Sequence, residues 1–80
     1  MAPLITEPDR VLDCRNLSCP LPVVKTAQVI RELESGQHLL VLATDPGFAQ
    51  DIKAWSSRTG NDLVTLTEDG GAYQVLLRRN

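Results

Sequence analysis

The side chains of this 80-residue chain best suited to thiol chemistry or soft-metal ligation are the cysteines Cys14 and Cys19 and the single histidine His38. Cys19 has the more informative setting. It lies in Leu17-Ser18-Cys19-Pro20-Leu21-Pro22-Val23, where two prolines follow it at alternate positions. Prolines are tolerated in the first turn of a helix, because the amide hydrogens there have no intrahelical acceptor. Pro20 and Pro22 therefore mark a helix start, and they stiffen it so that the thiol points one way. A helix N-terminus carries a partial positive charge and free amide donors, here including those of Leu21 and Val23, and both favour a thiolate. The expectation is a Cys19 pKa below the ordinary ~8.5, with Arg15 and Lys25 as further nearby cations. No general base is evident beside Cys19. The chemistry left open is thiol exchange, which needs a thiolate and an accessible sulfur partner.

Cys14 reads differently. It alternates with Leu12 on one face of a short strand, which points to a buried structural thiol. The functional alternative makes it a resolving thiol for Cys19. His38 precedes an apolar strand-like run and reads as a sheet residue. Two cysteines and one histidine fall short of the four ligands of a structural zinc, so no metal is expected. The sequence holds neither a Ser-His-Asp set nor a glycine-rich phosphate loop, and no organic cofactor is expected.

The elements that must position Cys19 follow from periodicity. Residues 1–9, with Pro3 and Pro8, read as a flexible N-terminal tail ahead of a single domain over residues 10–80. Arg10–Cys14 is a strand and Arg15–Ser18 a loop. A helix opens at Cys19-Pro20 and runs to about Glu34, with Val23, Val24, Ala27, Ile30 and Leu33 as its apolar positions. Gly36 is suited to the left-handed stop after it. Gln37–Thr44 is a strand, and its run Leu39–Ala43, apolar throughout, belongs at the centre of a sheet. Asp45 reads as the N-cap of a second helix with Pro46 at its first position. Phe48, Ile52 and Trp55 form its apolar stripe, and Gly60 ends it. Leu63–Thr67 and Tyr73–Arg79 are strands joined by a turn containing Asp69-Gly70. The order βαβαββ, with polar residues on one half of the last strands, implies a two-layer α/β sandwich, an α+β fold. Its four-stranded mixed sheet carries both helices on one face.

Composition narrows the function classes. Eight basic residues against ten acidic ones argue against non-specific binding to phosphate backbones. No apolar run approaches the ~20 residues of a membrane span. The first ten residues lack the apolar core of a secretory signal, so cytoplasmic residence is expected.

The stretch Leu12-Asp13, followed by Asn16-Leu17-Ser18-Cys19-Pro20-Leu21-Pro22-Val23, resembles the signature of TusA/SirA-like sulfur carrier proteins, centred on a Cys-Pro-x-Pro motif. The resemblance spans roughly residues 10 to 79. It implies a βαβαββ sandwich similar to the C-terminal domain of translation initiation factor three. It also implies a sulfurtransferase role in which Cys19 takes persulfide sulfur from a cysteine desulfurase or a rhodanese and relays it to another protein thiol. Downstream pathways of the family include transfer RNA 2-thiolation, molybdenum cofactor assembly and sulfur oxidation. Asp45 stands where family members often place an acid. With Leu21 and the surface around Phe48 it is a candidate partner contact, although Phe48 also fits the core. Asn16 replaces a frequent glycine, and asparagine tolerates the left-handed backbone such a turn needs. A monomer would suit a shuttle. The rival reading is a redox-sensing regulatory or interaction module, which would form a Cys14–Cys19 disulfide or a stable sulfenate. A nucleic-acid-binding domain is the weakest alternative.

Overall fold

In the computed structural model, which describes residues 7–80, the chain runs β1 (Arg10–Cys14), α1 (Leu21–Ile30), β2 (His38–Ala43), α2 (Phe48–Thr59), β3 (Asp62–Asp69) and β4 (Ala72–Arg78). Residues 1–6, most of the expected tail, lie outside the described residues. Asp9, the last residue of that expected tail, is tied to the sheet. Its amide donates to the His38 carbonyl at 2.9 Å, and its carboxylate accepts from the His38 amide at 2.7 Å.

The strands form one mixed sheet in the order β1-β2-β4-β3. β1 and β2 are parallel, with Leu12 opposite Val41 and Cys14 opposite Ala43. β4 runs antiparallel to both β2 and β3. Leu39, Val41 and Ala43 of β2 face the same way as Val75 and Leu77 of β4, and all are buried with Phe48, Ile52 and Trp55 of α2 and Ile30 of α1. Both helices therefore cover one face. Burying each large apolar side chain there contributes ~1.5–3 kcal/mol. Leu40, Leu42 and Leu76, on the other face, are only half-buried. β2 is central, as its apolar run implies, but its burial alternates because no helix covers the second face.

Three details depart from expectation and a fourth adds to it. First, α1 ends at Ile30 rather than near Glu34. Glu32 and Leu33 bond back three residues, to the Val29 and Ile30 carbonyls, so the last turn tightens and stops. The guanidinium of Arg79 then donates to the Leu33 and Arg31 carbonyls, closing the frayed end. Gly36, at φ 86°, serves a separate turn in which the Gln37 amide reaches the Glu34 carbonyl. Second, the buried line of α1 is Pro22, Thr26 and Ile30, while Val24 is exposed. Thr26 is accommodated because its hydroxyl donates to the Pro22 carbonyl at 2.7 Å. Third, α2 starts at Phe48 with Gly47 at its N-cap, not at Asp45-Pro46. Those two residues open a β-turn closed by the Phe48 amide on the Asp45 carbonyl, an arrangement that suits Asp first and Pro second. Fourth, a register shift between Leu63 and Thr65 bulges β3, which turns both Leu63 and Leu66 toward the core despite their odd spacing. The hairpin itself turns on Gly70 and Gly71, at φ 60° and 86°, values a side chain would resist.

Candidate functional site

Because β1 and β2 are parallel neighbours, the loops that leave their carboxyl ends emerge at the same edge of the sheet. One loop leads to α1 and the other to α2, and clefts at such ends are where α/β sheets commonly place ligands. The two loops are joined directly, since the Asn16 amide donates to Thr44 Oγ1 at 2.9 Å. Asn16 takes the left-handed backbone, φ 69°, that the turn requires.

Cys19 emerges from this junction as an exposed free thiol. It sits one residue ahead of Pro20, the residue flanking α1, and the Cys19–Pro20 peptide is cis. The thiol is thus farther from the helix than the sequence implied. The amide of Leu21, expected to be free, donates to the Ser18 carbonyl at 2.9 Å. The partner of Cys19 is instead a carboxylate on the other helix. Its Sγ donates to Oδ2 of Asp51 at 2.6 Å. Cys19, Pro20 and Val23 on one side, with Asp51, Ala54 and Arg58 on the other, line an open recess of about 230 Å³.

This contact reverses the expected electrostatics. A thiol that donates to a carboxylate is favoured in its protonated form. The Asp51 hydrogen bond first, then partial burial and the charges of Asp51 and Asp45, raise the Cys19 pKa above the ordinary thiol value instead of lowering it. The cations expected to help are engaged elsewhere. Arg15 grips Asp13 through Nε and Nη2 at 2.9 and 2.8 Å, which holds the Asp13 carboxyl down at about 2. Lys25 acts on Cys14 rather than on Cys19.

The remaining candidates sort as follows. Cys14 has no exposed surface and lies 3.9 Å from the Pro22 carbonyl, and burial pushes its pKa up. Pro20 borders the recess and Pro22 is buried. Leu21 is 46% exposed beside the site. Asp45 is half-buried and uses Oδ2 to accept the Gly47 amide at 2.9 Å. Phe48 is 1% exposed and packs against Tyr73 with ring centroids 6.2 Å apart, so it belongs to the core and contributes nothing to a docking surface. Asp51 was missed by reading along the sequence. Its signal was topological: parallel strands bring the first turn of the second helix beside the entry to the first.

Among the described residues, no helix is long and apolar enough to cross a membrane. An exposed thiol on a two-proline helix entry, in a recess with no second thiol at the surface, suits a carrier of sulfur, and comparison with known proteins agrees. Residues 10–79 match the family described as Sulfurtransferase TusA. The chain is 39% identical to the sulfur carrier protein TusA of Allochromatium vinosum over 72 residues, covering 90% of this chain and 95% of that one. It is 50% identical to YrkI of Bacillus subtilis over 71 residues, covering 89% and 95%. It also matches an Aquifex aeolicus protein at 49% identity, but spans only 36% of that protein's length. In fold it resembles a SirA-like protein from Desulfitobacterium hafniense, with a TM-score of 0.75 at 24% identity over 86% of this chain and 95% of that one. The motif, the topology and these relatives converge: the chain belongs to the TusA family of sulfur carriers.

Proposed function

We propose that Cys19 accepts persulfide sulfur from a donor protein and relays it to a thiol on an acceptor protein. The observation that carries this reading is the contrast in access: Cys19 is exposed in a recess, while Cys14 is fully buried. A relay needs one thiol that two partners can reach in turn, and a second surface thiol would displace the carried sulfur as hydrogen sulfide and leave a disulfide. Pro20 and Pro22 position the thiol. Leu21, exposed beside it, offers apolar contact to a partner, and Asp45 adds charge at the same edge. Arg58 borders the recess and offsets part of the negative charge of its carboxylates. The donor is a cysteine desulfurase or a rhodanese, and the acceptor a further sulfur-relay protein feeding transfer RNA 2-thiolation, molybdenum cofactor assembly or sulfur oxidation. The working form is a cytoplasmic monomer built on residues 10–80, acting without a metal or an organic cofactor.

The test is to incubate the reduced protein with a cysteine desulfurase and cysteine, then with a rhodanese and a sulfur donor, and to take intact masses with and without reductant. A reductant-labile gain of one sulfur atom is expected in wild type and Cys14→Ser and not in Cys19→Ser. No gain with either donor or with polysulfide, together with loss of two hydrogens on mild oxidation, would replace the relay with a redox switch.

A further inference from the structure

The contact between Cys19 and Asp51 has a property specific to sulfur carriage: it is made by the one proton that loading removes. We propose that Asp51 is a latch that recognises the unloaded protein, holding the Cys19 thiol in the recess until sulfur arrives and releasing it afterwards. This rests on the persulfide reading above.

Cys19 Sγ bonds to the outer sulfur of a donor R–S–SH, and the donor's sulfur–sulfur bond breaks. Its electron pair stays on the departing R–S, which takes up the proton lost from Cys19. The sum is Cys19–SH plus R–S–SH giving Cys19–S–SH plus R–SH, a transfer of one sulfur atom without net oxidation. In the product, Sγ is bonded to carbon and sulfur and carries no hydrogen. It can no longer donate to Oδ2 of Asp51, which stood 2.6 Å away. Two lone-pair-bearing atoms do not stay that close without a shared proton. The remaining proton, or the negative charge left when it dissociates, lies one sulfur farther out.

The charged groups around the recess make the distinction directional. From α2, Asp51 and Arg58 line it. From the loop before α2, Asp45 acts on Cys19, and a carbon placed on Gly47 would lie 3.2 Å from the Asp45 carboxylate and 3.9 Å from that of Asp51, so the two acids flank one glycine. From the α1 side the lining residues Pro20 and Val23 bring no charge. An uncharged thiol is held by this arrangement, and because two carboxylates outweigh the single cation of Arg58, an ionised persulfide is repelled toward solvent and toward an acceptor. The raised Cys19 pKa is the equilibrium expression of the first half of this statement.

Two measurements decide it, and neither needs a sulfur donor. The first is the pH dependence of Cys19 alkylation by iodoacetamide in wild type, Asp51→Asn, Asp51→Ala and Asp51→Glu, with far-UV circular dichroism to confirm the fold. In Asn and Ala the midpoint should move to lower pH and the rate at pH 7 should rise several-fold, and Glu should restore part of the wild-type profile. The second is the Asp51 carboxyl carbon resonance in reduced protein and in protein capped at Cys19 as a methyl disulfide, which lacks the Sγ proton just as a persulfide does. The resonance should move on capping and return on reduction. An unchanged alkylation midpoint in both Asn and Ala would overturn the latch. An unmoved resonance would overturn its dependence on loading. Failure of the persulfide reading would show separately, as absence of mass gain with every donor.

Discussion

Cys14 and Cys19 lie five positions apart and are both held as neutral thiols, by opposite means. Cys14 is neutral because it is out of water: burial is the main influence on it, opposed by Lys25 and aided slightly by Asp13. Cys19 is exposed and neutral because a carboxylate from another helix accepts a hydrogen bond from its thiol and so favours the protonated form. The first restraint is lifted only by opening the core. The second is lifted by moving one side chain, or by chemistry at the sulfur itself. A fold can therefore keep two thiols protonated at rest and leave only one of them available.

The largest effect that would break this comparison is kinetic. In native protein, iodoacetamide should label Cys19 faster than Cys14 by a factor of at least about a thousand, since exposing a core residue requires opening that costs several kcal/mol. Peptide mapping reads the ratio, and comparable rates would mean that β1 opens locally. Next comes stability. Cys14→Ser should cost about 1–3 kcal/mol in urea unfolding, because the buried hydroxyl would be too far from the Pro22 carbonyl to bond it. Cys19→Ser should stay within about 0.5 kcal/mol, as surface changes do. A smaller effect is alkaline. Both thiols bind their protons more tightly folded than unfolded, so each contributes stability that is present below the unfolded thiol pKa and lost as pH rises through the folded value. Cys14→Ala should flatten the alkaline fall of the unfolding midpoint. The smallest is acidic. Asp13, held at about 2 by Arg15, contributes stability above its unfolded pKa that fades as pH falls toward that value. Asp13→Asn should remove that slope, a change small enough to need an NMR titration because the pair is fully exposed.

How far the sequence reached depends on the range of the interaction that decides each feature. The element order, the stripe Phe48-Ile52-Trp55 and the glycine hairpin are set by neighbours within a few positions, and periodicity exposed them. The same logic identified Cys14 as buried, from its alternation with Leu12. Thr26 escaped because a polar label hides a hydroxyl that satisfies itself on the preceding turn. The short α1 escaped because a tightened turn ends it and Arg79, distant in sequence, binds the Arg31 and Leu33 carbonyls just beyond it. Leu63 and Leu66 share the core face only through a bulge, a feature with no hydropathy signature. The pKa of Cys19 came out with the wrong sign for the same reason. Helix entry is a local feature, whereas Asp51 is 32 positions away and reaches Cys19 only through the parallel pairing of β1 and β2.

That topology also has a consequence for the order of events during synthesis. β4, the last strand in sequence, lies between β2 and β3. Until residues 72–78 have been made, β2 has β1 on one side and nothing on the other, and β3 has no partner at all. The strand left with an open edge is Leu39–Ala43, apolar at every position, the kind of edge that templates pairing with other chains. The nascent protein thus carries this adhesive segment unguarded until β4 has been made, and the hairpin that delivers β4 is what ends that exposure. A chain interrupted anywhere in the turn at Gly70-Gly71 should aggregate rather than persist as a smaller fold.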